Sequence, residues 1–248
     1  MDSKPFLLLS VRPEDVAADD EYAAMLRATG LPERALRRFR VERAPLGVVD
    51  LDAWSGIVLG GGPFQSSDPE HTKSPLQLRV EADLAALLDR VVATDFPFFG
   101  ACYGIGVLGT HEGAVVDRTY GEPVGGVEVT LTAEGRIDPV FGVAPPTFGA
   151  WVGHKEAICT LPAHAVTLAT SAATPVQAFR VRTNVYATQF HPELDLDGLT
   201  TRVLTYRHAG YFPPDEADAV LAAARATGIG AAPDFLRAFV TRHASPAR

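Results

Sequence analysis

Residues 96–108 read FPFFGACYGIGVL, and this stretch sets the architecture of the chain. Aromatic residues come first, a cysteine between two glycines follows, and the apolar run after it has helical character. The pattern predicts a buried strand, a sharp turn and a helix. Small residues flank a nucleophile in such a turn because a tight, strained backbone leaves no room for side chains beside it.

Cys102 is therefore a candidate nucleophile. The turn lifts its sulfur off the sheet, and the N-terminus of the following helix favours the thiolate. A competing interpretation stays open at this point, because Gly-x-Cys-x-Gly is a short motif and most lone cysteines are inert core residues.

A second motif, far downstream, favours the catalytic interpretation. Residues 188–193 read TQFHPE and end an alternating, β-branched stretch that predicts a strand. His191 can accept a proton from a thiol, Glu193 can orient the imidazole, and Pro192 restricts His191 to extended backbone. These residues alone are compatible with a surface turn. Together with Cys102 they have the logic of a triad, whose members are distant in sequence and adjacent in space.

The first hundred residues alternate apolar strands with amphipathic helices, which predicts an α/β fold with a central, mostly parallel sheet and helices on both faces. In such a fold the active site lies at the carboxyl ends of the strands, where both Gly60–Gly62 and Cys102 fall. The predicted elements are strands at Phe6–Val11, Arg38–Glu42 and Gly56–Leu59, and helices over Glu14–Ala28 and Pro75–Ala93.

The second half of the chain shows a different pattern of predicted secondary structure. From Ala114 to Thr188, short β-rich pieces separated by glycine and proline predict β-hairpins added to the sheet. After Asp195 we predict helices near Gly198–His208, Pro214–Ala226 and Pro233–His243. The expected organisation is one domain over residues 1–200 and a helical C-terminal extension over residues 201–248, packed on the same domain.

Composition narrows the classes of function. The net charge of −8 argues against nucleic acid as a partner, and no apolar run is long enough to cross a membrane. With only Cys102 and Cys159 in 248 residues, we expect a reducing, cytoplasmic location, Cys159 being a buried thiol in a strand. No Cys, His or Asp cluster has metal-ligand spacing, so neither a metal nor another cofactor is expected.

Five motifs together carry a family resemblance. They are LGGGP at 59–63, GACYG at 100–104, Tyr120-Gly121, WVGH at 151–154 and QFHPE at 189–193. In this order and spacing the chain resembles the class I, triad-type glutamine amidotransferases, especially the amidotransferase part of GMP synthase and its stand-alone relatives. The resemblance spans roughly residues 6–200 and implies a flavodoxin-like class I amidotransferase fold.

The resemblance also implies roles for several residues. Attack on a side-chain amide builds negative charge on its oxygen, and backbone N–H groups must meet that charge. In the family these come from the position of Tyr103 and from the loop of Gly61 and Gly62, which without the elbow would be an ordinary loop after a strand. His154 and Lys155 fall in a segment that lines the glutamine pocket, where the family usually has glycine at the position of Lys155.

Gly106 is the main departure from the family pattern. Relatives usually carry glutamine there, four residues after the nucleophile, where it contacts the amino-acid end of the substrate. Losing one neutral hydrogen bond weakens binding of free glutamine by roughly 0.5–1.5 kcal/mol. Restoring glutamine at 106 is expected to strengthen recognition and, within a helix, to add roughly 0.5–1 kcal/mol of stability.

Three functions follow as hypotheses. The first is an amidotransferase in which the triad attacks glutamine through a thioester and releases ammonia for a synthase on another chain. The second is a stand-alone hydrolase of γ-glutamyl amides with the same chemistry. The third is a non-catalytic, partner-binding relative, which an intact Cys–His–Glu set argues against and which Gly106 keeps open.

Overall fold

The structure is a computed structural model and describes residues 3–230 and 232–246. The strands are β1 Phe6–Ser10, β2 Leu36–Arg40, β3 Gly56–Leu59, β4 Phe98–Ala101, β5 Val115–Asp117, β6 Glu122–Leu131, β7 Thr147–His154, β8 Ala157–Thr160, β9 Ala165–Ser171, β10 Ala178–Val181 and β11 Val185–Thr188. The α-helices are α1 Asp15–Thr29, α2 Pro75–Thr94, α3 Tyr103–His111, α4 Ala133–Ile137, α5 Leu196–Thr205, α6 Ala217–Ala226 and α7 Phe235–His243.

Within the described residues, nine strands form one sheet in the order β2-β1-β3-β4-β11-β10-β9-β6-β7. The pairs from β2 to β11 are parallel. The pairs from β11 to β7 are antiparallel, so the predicted hairpins continue the same sheet. Strands β5 and β8 form a separate antiparallel pair. The predicted α/β fold is confirmed.

Helices cover both faces of the parallel half, as the apolar runs predict. Alternate residues of β1 point to opposite faces, Leu8 into a core with α1 and α7, and Leu7 and Leu9 into a core with α2 and α3. Helix α7 contributes Phe235 and Phe239, both fully buried, to the first of these cores. The C-terminal helix is therefore part of the main core.

Local signals place the helix ends well and the strand ends less well. Helix α1 ends at Gly30, whose φ of 71° is the left-handed conformation that glycine adopts without strain. Ser74 caps α2 by accepting from the amide of Gln77, and Pro75 starts that helix. Strand β2 begins two residues before the predicted Arg38, because its pairing with β1 starts at Leu36.

One prediction about burial is wrong. Cys159 lies on β8, as predicted, but it is only half-buried. Its thiol donates to the carboxylate of Asp117 across the β5–β8 pair, at 2.8 Å. Its neighbour Ile158 is fully buried, and because successive side chains of a strand point to opposite faces, Cys159 lies on the more exposed face. Burial and the neighbouring Asp117 raise the pKa of this thiol.

Neither a membrane-spanning helix nor a metal cluster is found in the described part of the chain. No helix between residues 3 and 246, residue 231 aside, combines the length and the apolar character needed to span a bilayer. The same residues contain no group of three or more His, Cys, Asp or Glu side chains arranged to hold a metal ion.

Candidate active site

Cys102 stands at the tip of the turn between β4 and α3. Its backbone has φ 52° and ψ −96°, a conformation that non-glycine residues rarely adopt. The turn is closed by packing of Gly100 on Gly104, since a Cβ on Gly100 would lie 3.0 Å from the backbone of Gly104. The amide of Cys102 donates to the carbonyl of Thr188 at 2.8 Å, which ties the turn to the end of β11.

His191 is fixed beside this turn by backbone and side-chain bonds. Its amide donates to the carbonyl of Trp151 at 3.0 Å, forming an isolated bridge to β7. Its Nδ1 lies 2.9 Å from Oε1 of Glu193, and its ring lies close enough to Cys102 to lower the pKa of that thiol. Because Nδ1 faces Glu193, Nε2 is the nitrogen available to the thiol. The structure thus brings the three predicted residues together.

The charges of this group shift all three pKa values. Burial raises the pKa of the Cys102 thiol, but the nearby His191, Arg12 and Arg202 outweigh burial and leave that pKa lowered. Burial lowers the pKa of His191, and the Glu193 and Cys102 anions reverse this and leave it raised. The pKa of Glu193 lies far below its usual range, because His191 and Arg202 overcome the effect of burial. The arrangement favours a thiolate–imidazolium pair.

The backbone amides of the predicted oxyanion loop differ in whether they already donate a hydrogen bond. The amide of Gly61 donates to Oε1 of Glu21 at 3.1 Å and is therefore committed. Among residues 3–230 and 232–246, no group accepts from the amides of Gly62 or Tyr103. Gly62 lines the space at Cys102, and Tyr103 starts the helix at the elbow. These two amides, and not that of Gly61, are available to an oxyanion.

Close approach explains why this loop is three glycines. A Cβ on Gly60 would lie 2.5 Å from the carboxylate of Glu21, and one on Gly61 would lie 2.7 Å from Cε1 of His191. A Cβ on Gly62 would lie 2.5 Å from a methyl group of Val11. Any side chain here therefore displaces a group of the site or the strand end below it.

Three buried charged residues that the sequence reasoning missed surround the triad. Arg202 of α5 donates to Oε1 of Glu193 at 2.8 Å, and its NH1 also lies 2.8 Å from Nδ1 of His191. Arg12, at the end of β1, pairs with Glu21 of α1 at 2.9 Å. Glu21 is completely buried. The network holds two guanidinium groups within reach of the thiol.

A signal for these residues existed in the sequence. Glu21 occupies the helix face that also carries Ala17, Ala18, Ala24 and Met25, all of them buried. A carboxylate at such a position needs a partner, because an unpaired buried charge is very costly. Arg202 likewise lies on the buried face of α5. Glu21 and Arg202 share one sequence pattern, a charged residue within the apolar face of an amphipathic helix.

The two residues predicted to line the glutamine pocket, His154 and Lys155, lie in different surroundings. His154 is buried with both ring nitrogens engaged, one with Glu122 at 2.9 Å and the other with the carbonyl of Glu156 at 2.8 Å. Its side chain therefore has no nitrogen left for a ligand. Lys155 does not line the space at Cys102; its Nζ donates to the carbonyl of Ala209 and lies 4.6 Å from the ring centre of Tyr211.

Glu156 occupies the space beside Gly106. A Cβ on Gly106 would lie 2.9 Å from Oε1 of Glu156 and 2.8 Å from Oγ of Ser66. The Glu156 carboxylate accepts from the amides of Ser66 and Ser67, both at 2.7 Å. This packing argues against the expectation that glutamine at 106 adds stability, because the new side chain competes with a buried, hydrogen-bonded carboxylate.

Two cavities meet at Cys102, and Gly62, Gly153 and Tyr211 line both of them. The polar pocket is lined further by Phe64, Gln65, Tyr103, His154, Glu156 and Gln189. The apolar cleft, partly open to solvent, is lined by Val124, Val152, Leu194, Leu199, Val203 and Phe212, with Arg12, His191, Arg202 and Tyr206. His191 lines the apolar cleft and not the polar pocket.

Sequence comparison identifies a family. The profile described as "Glutamine amidotransferase class-I" matches residues 34–206. The chain is 30% identical over 147 residues to a subunit of the glutamine-hydrolyzing GMP synthase of Thermoplasma acidophilum, covering 59% of this chain and 66% of that protein. It is 26% identical over 149 residues to the glutamine-hydrolyzing GMP synthase of Serratia proteamaculans, covering 56% of this chain and 25% of that protein. The chain thus spans less than two thirds of the length of these relatives.

Structural comparison supports the same fold over a longer range. A glutamine amidotransferase from Thermotoga maritima superposes with a TM-score of 0.74 and 20% identity, over 98% of this chain and 99% of that one. The fold described above, with its C-terminal helices, is thus shared along nearly the whole chain.

Proposed function

The chain belongs to the class I glutamine amidotransferase family, and from this premise we propose that it hydrolyses the side-chain amide of glutamine and related γ-glutamyl amides. Cys102 is the nucleophile, His191 the acid and base, and Glu193 the residue that orients His191. The observation that carries the proposal is Cys102 at a strained elbow beside the hydrogen-bonded pair His191–Glu193, with the pKa of the thiol lowered by His191.

The reaction follows from this geometry. The Cys102 thiolate attacks the amide carbon, and the amides of Gly62 and Tyr103 bind the oxyanion that forms. His191 gives its proton to the amide nitrogen, the C–N bond breaks, and the amine leaves. Water, deprotonated by His191, then attacks the thioester carbon and releases glutamate with a free thiol. Glu193 stays ionised throughout, because His191 and Arg202 hold its pKa low.

The polar pocket supplies the contacts for the amino-acid end of the substrate. Tyr103 and Gln189 line this pocket, and the Tyr103 hydroxyl and Oε1 of Gln189 are buried without a hydrogen-bond partner among the described residues. An unsatisfied buried acceptor such as Oε1 of Gln189 suits the α-ammonium group of a γ-glutamyl compound. These groups stand in for the missing glutamine at position 106.

The fate of the released nitrogen defines two forms of the proposal. In the first, ammonia passes to a synthase on another chain, as the names of the relatives that are GMP synthase subunits suggest. In the second, the protein acts alone on γ-glutamyl amides. The apolar cleft on the side of His191 supports the second form, because it offers surface to an apolar group on the amide nitrogen.

The decisive experiment follows glutamate and ammonia release from glutamine and identifies the thiol labelled by a glutamine-like diazo-ketone. We expect the label on Cys102, and we expect Cys102→Ala to lose turnover while keeping its fold. Cys159→Ala is the matched control and should retain activity, since its thiol bonds Asp117 on a separate strand pair. Turnover by Cys102→Ala, or a label that inactivates through Cys159, refutes the proposal.

A further inference from the structure

We propose that the apolar cleft is a subsite for the amine half of the substrate, and that this enzyme prefers N-substituted γ-glutamyl amides with an uncharged alkyl or aryl group on nitrogen. The inference rests on the proposed function and narrows its substrate class. It starts from the side of Cys102 on which the leaving nitrogen must lie.

The leaving nitrogen takes its proton from His191, so it must face that imidazole in the transition state. His191 lines the apolar cleft and not the polar pocket, whereas Cys102 and Gly62 line both. The carbonyl therefore lies at the junction of the two cavities. The glutamyl part extends into the polar pocket, and any group on the nitrogen extends into the apolar cleft.

The lining of the cleft selects the chemistry of that group. Half of the side chains around it are aliphatic or phenyl groups, and among them Leu194, Leu199 and Val203 are almost fully buried. Arg12 and Arg202 also face the cleft, but each is already ion-paired, with Glu21 and Glu193 respectively. Among the described lining residues, no unpaired charge is therefore left to bind a charged substituent. The apolar surface of the cleft favours an apolar substituent instead.

The chemical step is the same as for glutamine, with a different leaving group. The thiolate of Cys102 forms a bond to the amide carbon, and the C–N bond breaks. The nitrogen leaves with the proton of His191 as a primary amine, and water then hydrolyses the thioester to glutamate. Atoms balance without any further reactant.

A homologous series of substrates tests the inference on the wild-type protein. We compare kcat/KM for glutamine and for the γ-glutamyl methylamide, propylamide and butylamide. A methylene that enters apolar surroundings contributes up to about fourfold, so we expect butylamide to exceed methylamide by about tenfold or more. The 3-aminopropyl amide is the charged control of the same length as the butylamide and should lose most of that gain. Values that fall as the chain lengthens, or an equal response to the charged control, overturn the inference.

Variants assign the effect to the cleft. Val203 and Leu204 are neighbours on α5, the first 2% exposed and lining the cleft and the second 54% exposed. We expect Val203→Phe to lower the butylamide-to-glutamine ratio about tenfold, and Leu204→Phe to leave the ratio unchanged. Phe212→Ala removes a partly buried wall and should also lower the ratio, which keeps the test valid if Val203→Phe fails to fold.

The outcomes separate the two proposals. If neither glutamine nor any amide is hydrolysed and Cys102 takes no label, the proposed function fails. If glutamine is hydrolysed and the alkyl amides are rejected, the proposed function stands and the subsite is refuted. If the alkyl amides are preferred and the preference survives both cleft variants, the amine binds elsewhere and the subsite is again refuted.

Discussion

Replacing Arg202 by methionine removes the cation that contacts both the proposed base and its orienting carboxylate. The Arg202 side chain is 8% exposed, donates to Glu193 at 2.8 Å and lies 2.8 Å from Nδ1 of His191. Methionine fills a similar length of the buried face of α5 without the charge. We expect the fold to persist, with lower stability and an altered titration of the thiol.

The expected loss of stability follows from the contacts. A hydrogen bond to a charged group is worth about 1.5–3 kcal/mol, and Glu193 keeps its bond to His191 in the variant. We therefore expect the free energy of unfolding to fall by about 2–3 kcal/mol near pH 7. Arg27→Met is the matched control: Arg27 pairs with Asp195 at 3.2 Å on the surface, and such exposed pairs contribute at most about 1 kcal/mol.

The pH dependence of the free energy of unfolding gives a second measure of the contribution of Arg202. In the wild type the folded pKa of Glu193 is depressed below its ordinary 4.5, so its stabilisation is complete above that pH and is lost as pH falls further. Removing Arg202 reduces the depression, so the gap between wild type and variant should narrow below about pH 4.5.

The pKa of the Cys102 thiol responds to the loss of Arg202 in the same sense as that of Glu193. The guanidinium of Arg202 lowers the pKa of Cys102, so its removal raises that pKa. The rate of alkylation by iodoacetamide follows the thiolate, and its midpoint should move to higher pH in Arg202→Met but not in Arg27→Met. Equal urea midpoints for the two variants, with unchanged alkylation profiles, would refute the positioning role of Arg202.

Three other substitutions probe the same site. His191→Ala should lose turnover to the same extent as Cys102→Ala, and the double variant should be little worse, because the two act as one unit; kinetics showing additive losses would contradict this. Gly61→Ala should lower kcat/KM at least tenfold by displacing His191. The free energy of unfolding of this variant, measured by thermal denaturation, should fall by about 1–3 kcal/mol. An unaffected kcat/KM would show that the loop tolerates a methyl group. Gly106→Gln should destabilise by about 1–3 kcal/mol through its clash with Glu156, and a rise in the melting temperature would contradict that packing.

The fold and the outline of the site could be predicted because their signals are local. The elbow at Cys102 needs small neighbours for a strained turn, and such a need appears directly as Gly100 and Gly104. The apolar runs of β1, β3 and β4 mark strands buried on both faces, whatever their partners are. The role of Cys102, His191 and Glu193 in turnover stays a prediction, although the structure brings them together.

Contacts between distant segments account for what could not be predicted. Glu21 binds the amide of Gly61, which leaves the amides of Gly62 and Tyr103 for an oxyanion, and no periodicity in the sequence distinguishes the two glycines. Glu156 fills the space beside Gly106, although the two residues are far apart along the chain. Local spacing cannot reveal which polar atoms are already satisfied, because that depends on what packs against them.

The amino-acid sequence is thus enough to predict the order of elements, the position of the candidate nucleophile and the edge of the sheet where the candidate site lies. Local backbone geometry and the burial of apolar runs impose these features on each segment separately. Three other features emerge only from the packed chain: Arg202 of α5 bonds Glu193, Lys155 bonds the carbonyl of Ala209, and an apolar cleft opens on the side of His191. Charge pairing and cavity shape depend on side chains from many segments at once, and folding alone brings those side chains together.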